Sequence, residues 1–100
     1  MLDLSPKLQA MIQDILAEFA PHREVWAFGS RVKGTAKPYS DLDLVILGDA
    51  ALPTRQFNLL TEAFEESDLP IRVDLVEWAA LSPSFREAIR QHHEIIQCGK

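Results

Sequence analysis

The sequence has a single cysteine, Cys98, in 100 residues. No disulfide can form within the chain, and a reducing cytoplasm is the expected setting. No apolar run approaches the roughly 18 residues of a membrane span, so no membrane partner is expected. The opening "MLDLSPKLQA" lacks the basic start and apolar segment of a signal peptide. Basic residues are in the minority, ten Lys and Arg against fifteen Asp and Glu, for a net charge of −5. That deficit argues against strong general nucleic-acid binding, which rests on cations set against phosphates. Repeats, low-complexity tracts and linkers are missing as well. One domain spanning 1–100 is what the length accommodates, with room for a core but not for a second domain.

What is present is a clear alternation of helix and strand patterns. Leu8, Met11, Ile12, Ile15, Leu16 and Phe19 form the stripe of an amphipathic helix. Ser5 can cap that helix and Pro6 suits its first turn. Residues 24–28 read as a short strand running into Gly29, and residues 30–36 as one helical turn and a loop. Residues 41–47 read as a second strand, apolar on both faces at "LVIL", as in a central strand covered on two sides. A helix over 54–66 packs through Phe57, Leu60, Ala63 and Phe64. Residues 71–77 alternate, with Ile71, Val73 and Leu75 on one face and Arg72, Asp74 and Val76 on the other. A last helix begins at Leu81–Pro83 and is expected to bury Phe85, Ala88, Ile89, His92 and Ile96. This order predicts an α/β or α+β domain, a small sheet with helices packed on it. The pattern leaves the pairing directions open.

The chemistry concentrates in "FGSRVKGTAKPYSDLDLVIL", residues 28–47. Asp41 and Asp43, two apart on a strand, point to one face with Cα atoms about 6.5–7 Å apart. Carboxylates that close repel, and burying them bare is costly. Mg²⁺ relieves the conflict, because it takes one or two carboxylates and completes its shell with water and phosphate oxygens. Asp74 can supply a third acid if its strand neighbours the first. Three acids can hold two ions, the arrangement that serves in-line phosphoryl transfer. Gly29 lets a backbone approach a phosphate closely, Ser30 adds a hydroxyl, and Gly34 permits the reversal before the loop. Arg31 reads either as a forked phosphate donor or as a surface cation. Ser40 can orient Asp41 or its backbone, and it is counted with the nucleotide-binding residues.

Gly29-Ser30, ten residues, then Asp41-x-Asp43 resembles the signature of the polymerase-β-like nucleotidyltransferases. "GSRVKG" followed by "SDLDL" resembles their minimal, single-domain members, and the likeness covers the whole chain. The resemblance implies a small mixed sheet with helices on it. It implies that Asp41, Asp43 and Asp74 bind metal and catalyse, and that the Gly29-Ser30 turn holds a triphosphate. It further implies transfer of AMP from ATP to a hydroxyl, such as a tyrosine of a HEPN-domain toxin, with this chain as the antitoxin. Two rival readings stand beside it. One is a non-catalytic module that neutralises its partner by occlusion. The other is a stand-alone enzyme modifying a small molecule of the aminoglycoside type.

Other features receive plainer readings. Lys33 and Lys37 are expected to be solvated loop charges, and Trp26 and Trp78 to serve in packing. His92 is placed on the apolar helical stripe and His93 away from it, so the two do not chelate together.

Overall fold

The structure, a computed structural model, describes residues 2–37 and 40–99. Helix α1 spans Pro6–Phe19, with the Leu8 N–H donating to Ser5 Oγ at 3.3 Å. Strand β1, Val25–Phe28, leads through Gly29 into the single turn α2, Ser30–Lys33, which Gly34 ends in the left-handed conformation. Strand β2 is Leu42–Ile46, helix α3 is Thr54–Glu65 and strand β3 is Val73–Glu77. A short 3₁₀ turn, Trp78–Ala80, precedes helix α4, Pro83–Gln91, which Ser82 caps. Strand β4, Glu94–Gln97, completes the fold.

The four strands form one mixed sheet in the order β3-β2-β1-β4. β1 pairs antiparallel with β2 and β4, whereas β2 and β3 run parallel. The parallel pair requires a crossover, and α3 provides it. On one face Val25, Ala27, Leu42, Leu44 and Ile46 pack against Ile12 and Leu16 of α1 and Leu60 and Phe64 of α3. On the other face Val45 packs with Trp78 and Ile89, beside Trp26, Phe28 and Val76. The two-sided burial expected for "LVIL" is therefore met: β2 is central and Leu44, Val45 and Ile46 are fully buried.

The C-terminal helix departs from expectation. It stops at Gln91, and His92 already has an extended backbone. The following residues form β4, an unforeseen fourth strand. β-Branched Ile95 and Ile96 favour a strand, and β1 offers a free edge on which Trp26 pairs with Ile95 and Ala27 with Glu94. Gln13 Nε2 donates to the Ile96 carbonyl at 3.1 Å, and Gln97 Nε2 to the carbonyls of Ala20 and Arg23. Ile96 is thus buried from a strand and not from a helix. Phe85, Ala88 and His92 are exposed, where a longer helical stripe would have buried them. The histidines exchange places too: His93 stacks on Trp26, ring centroids 3.9 Å apart. Both tryptophans do pack, edge to face at 5.6 Å.

Candidate functional site

The parallel register of β2 and β3 sets Asp43 directly beside Asp74. Asp41 stands two residues before Asp43, where the chain enters β2. Antiparallel pairing sets Phe28 on the other side of Asp43, so Gly29 follows at the end of β1. One row across the sheet therefore reads Phe28, Asp43, Asp74. All three acids and the glycine turn lie at one end of the sheet, brought together by strand pairing alone.

The electrostatics follow from that placement. Asp43 is half-buried while Asp41 and Asp74 are exposed. Burial pushes the Asp43 carboxyl above the usual carboxylate value, and the charges of Asp74 and then Asp41 push it further in the same direction. Gly29 has φ +80°, and a Cβ added there would collide with the Asp43 carboxylate. Backbone and acid thus touch at a point where only glycine fits.

Two other residues singled out in the sequence have protein partners. Arg31 is 7% exposed. Its Nε and Nη2 donate to the Ser40 carbonyl at 3.0 and 2.8 Å, and its Nη1 donates to the Asp3 carbonyl at 3.0 Å. Buried in this way, it is not the surface cation of the alternative reading. It fastens the segment that leads into Asp41 to α2 and to the N-terminal segment. Ser40 Oγ accepts from the Lys37 N–H at 2.8 Å and so closes a turn, while its carbonyl serves Arg31. Both help to position the segment that enters β2 at Asp41. Lys33 is exposed, as expected of a solvated charge, at the end of α2, and it lines a cavity of about 190 Å³ with Phe28, Gly29, Phe85, Ala88, Ile89 and His92. Nothing local in the sequence marks that cavity, because its walls come from β1, α2 and α4.

Among the described residues no group of three His, Cys, Asp or Glu side chains is placed to hold a metal ion. The acids form an open set. Their mutual repulsion and the partial burial of Asp43 are the conditions that a hard divalent cation relieves. Oxygen donors of a ligand and water would have to complete the shell.

The nucleotidyltransferase domain family matches residues 10–96. The chain belongs to that family. It is 51% identical over 96 residues to the probable protein adenylyltransferase MntA of Haemophilus influenzae, spanning 96% of this chain and 84% of that protein. Its fold is shared with a chain of a toxin–antitoxin crystal structure with AMP-PNP, at a TM-score of 0.73 and 24% identity, over 92% of this chain and 73% of that one. It is also shared with a chain in the complex of tri-AMPylated Shewanella oneidensis HEPN toxin with its MNT antitoxin. There the TM-score is 0.61 and the identity 19%, over 92% of this chain and 73% of that one. The nucleotidyltransferase ancestry and the mixed sheet expected from the GS and DxD motifs are met. The described residues contain no helix long and apolar enough to cross a membrane.

Proposed function

We propose that this nucleotidyltransferase uses Mg²⁺ and ATP to transfer AMP to a tyrosine hydroxyl of a HEPN-domain toxin, and so acts as the antitoxin in the cytoplasm. One observation carries the reading: Asp41, Asp43 and Asp74 stand at the same end of the sheet as the Gly29 turn, with Asp43 beside Asp74 and against Gly29. The name of the 51% identical relative supports protein adenylylation, and the folds shared with toxin–antitoxin complexes support the partner class.

Asp41, Asp43 and Asp74 are the residues that would hold Mg²⁺, as one ion or two. When bound, the metal supplies charge neutralisation for the phosphates and for the oxygens entering and leaving phosphorus. The chain's own contributions are positional. Gly29 and Ser30 bring backbone close to the β,γ-phosphates, and Asp43 and Asp41 fix the α-phosphate end. Asp74, exposed at the outer side of the row, would accept the proton of the incoming hydroxyl. A bond forms between the acceptor oxygen and the α-phosphorus, the bond to the bridging oxygen breaks, and pyrophosphate leaves.

The test is incubation of the chain and its HEPN partner with Mg²⁺ and ATP labelled at the α-phosphate. Label should reach the partner with the intact acids and be lost with Asp41→Asn/Asp43→Asn. Neutralisation that survives the double substitution without label would establish occlusion. Label on an added aminoglycoside, and none on the protein, would establish the small-molecule activity.

A further inference from the structure

β3 is the outermost strand of the sheet, so one of its edges is unpaired among the described residues. The Leu42 N–H donates to the Arg72 carbonyl at 2.9 Å, and the register with β2 runs from Leu42–Val73 to Ile46–Glu77 without a shift. Backbone groups alternate in direction along a strand, so Arg72, Asp74 and Val76 turn theirs to β2. Val73 and Leu75 turn theirs outward. The edge "VDLVE" carries no proline, lysine or bulge of the kind that keeps other strands away. Its outward donors and acceptors stand in a line that an extended chain matches.

A groove of about 670 Å³ lies along that edge, walled by Phe57, Thr61 and Phe64 of α3 and by Ile71, Val73 and Asp74. Asp74 is also the outer end of the row Phe28, Asp43, Asp74. A strand added to β3 extends that row by one residue, about 4.8 Å from Asp74 and pointing to the same face. The residues on either side of it, level with Val73 and Leu75, point the other way, toward α3. Resting on the transfer reading above, we propose that the free edge of β3 and the groove beside it receive an extended segment of the acceptor protein. The segment adds as a fifth strand and sets its hydroxyl-bearing residue level with Asp74. It carries apolar residues immediately before and after that hydroxyl, because its alternate side chains meet the acids on one face and Phe57 and Phe64 on the other. Backbone pairing supplies affinity, and the side chains that face the groove supply selectivity. A second copy of this chain is a poorer occupant, since it would bring together two acid-bearing edges on molecules of net charge −5.

The experiment uses the full chain, the HEPN partner and ATP labelled at the α-phosphate, with Val73→Pro and Thr61→Lys as variants. Proline at position 73 removes one outward N–H and leaves the bonds to β2 in place. Lysine at position 61 narrows the groove from α3, away from the acids. Thermal melting should show both variants folded, and calorimetry should give both the Mg²⁺-dependent ATP affinity of the unsubstituted chain. The loss of one backbone hydrogen bond predicts that Val73→Pro raises the KM for the partner about three- to ten-fold. Thr61→Lys should raise it as well, with kcat retained in both. Synthetic peptides spanning the labelled tyrosine, each N-methylated at one residue, then compete with the partner for labelling. Methylation should weaken competition at every second residue only. The sensitive positions are the tyrosine itself if the segment runs parallel to β3, and its two neighbours if antiparallel. An unaltered KM in either folded variant, or a peptide scan without alternation, would overturn the proposal. So would a dimer of the chain in sedimentation that Val73→Pro abolishes without altering transfer, since a second copy would then hold the edge. Failure of the transfer reading looks different: no label reaches the partner from any of the proteins, the unsubstituted chain included.

Discussion

Asp43 of β2 sits directly across from Asp74 of β3 in a parallel pairing, so two carboxylates stand side by side where a sheet ordinarily places compatible neighbours. Like charges directly opposed on a sheet are destabilising, and here a third, Asp41, joins them. Such an arrangement persists because something other than stability requires it, and cation-assisted transfer is a sufficient requirement. Asp43→Asn and Asp74→Asn should therefore each lower the rate of label transfer by about 10²–10³-fold, the loss of several kcal/mol of charge stabilisation. Circular dichroism should show both variants folded. Retained transfer in either would remove that residue from the site.

The same repulsion makes a prediction about stability and pH. The Asp43 carboxyl is held above its ordinary value of 3.8, first by burial and then by the charges of Asp74 and Asp41. The folded state thus binds this proton more tightly than the unfolded chain. Its contribution to stability is full below the ordinary value and is lost as pH rises through the raised one. In metal-free protein Asp43→Asn should raise the melting temperature at neutral pH, with the gain shrinking as the pH falls toward 4. Added Mg²⁺ should stabilise the unsubstituted protein and not the variant. A melting temperature lowered by Asp43→Asn at pH 7 would contradict this account.

Arg31 separates a structural role from a ligand-binding one. Its guanidinium is buried and donates to carbonyls of Ser40 and Asp3. Arg31→Ala leaves those acceptors without their charged donor, at about 2–3 kcal/mol. In a domain of this size that is a fall in melting temperature of roughly 10–20 °C. A phosphate contact predicts the opposite pattern, a raised KM for ATP with the melting temperature unchanged. Thermal denaturation beside steady-state kinetics decides between them.

What was legible in the sequence was what local pattern encodes. Ser5-Pro6 and Ser82-Pro83 open helices, and both serines cap as their spacing requires. The DxD placed two acids on one strand face, and the Gly-Ser turn stood beside them. The rest depends on partners distant along the chain. Arg31 is defined by a carbonyl 28 residues away, and a positive side chain between Ser30 and Lys33 carries no local sign of burial. The helical spacing of Ile89, His92 and Ile96 hides β4, and only pairing with β1, some 70 residues earlier in the chain, makes the last of them strand. On α4 Ile89 is the residue that is buried, and Phe85 is left 45% exposed.

That fourth strand can be tested directly. Ile96 is 5% exposed on β4, in the cluster built around α1 and the sheet. Truncation of a buried isoleucine costs about 2–5 kcal/mol, so Ile96→Ala should lower the melting temperature substantially. Ile95 is 54% exposed, and Ile95→Ala should change it little. Comparable effects at both positions would fit a buried helix end and not an edge strand with one face covered.

Gly29 joins the fold to the chemistry most tightly, and its substitution should damage both in a particular way. Its backbone has φ +80°, a conformation that alanine adopts only under strain. The strain alone costs about 1–3 kcal/mol. The added methyl group also meets the Asp43 carboxylate, which must move because the backbone of β1 is held by strands on both sides. Stability and catalysis should then part company across a pair of variants. Gly29→Ala loses both melting temperature and transfer. Gly29→Ala/Asp43→Ala removes the obstructing carboxylate and should recover the part of the stability lost to collision, but no transfer. A double variant no more stable than Gly29→Ala would mean that the glycine is required for its backbone angle alone, and that the close approach to Asp43 plays no part.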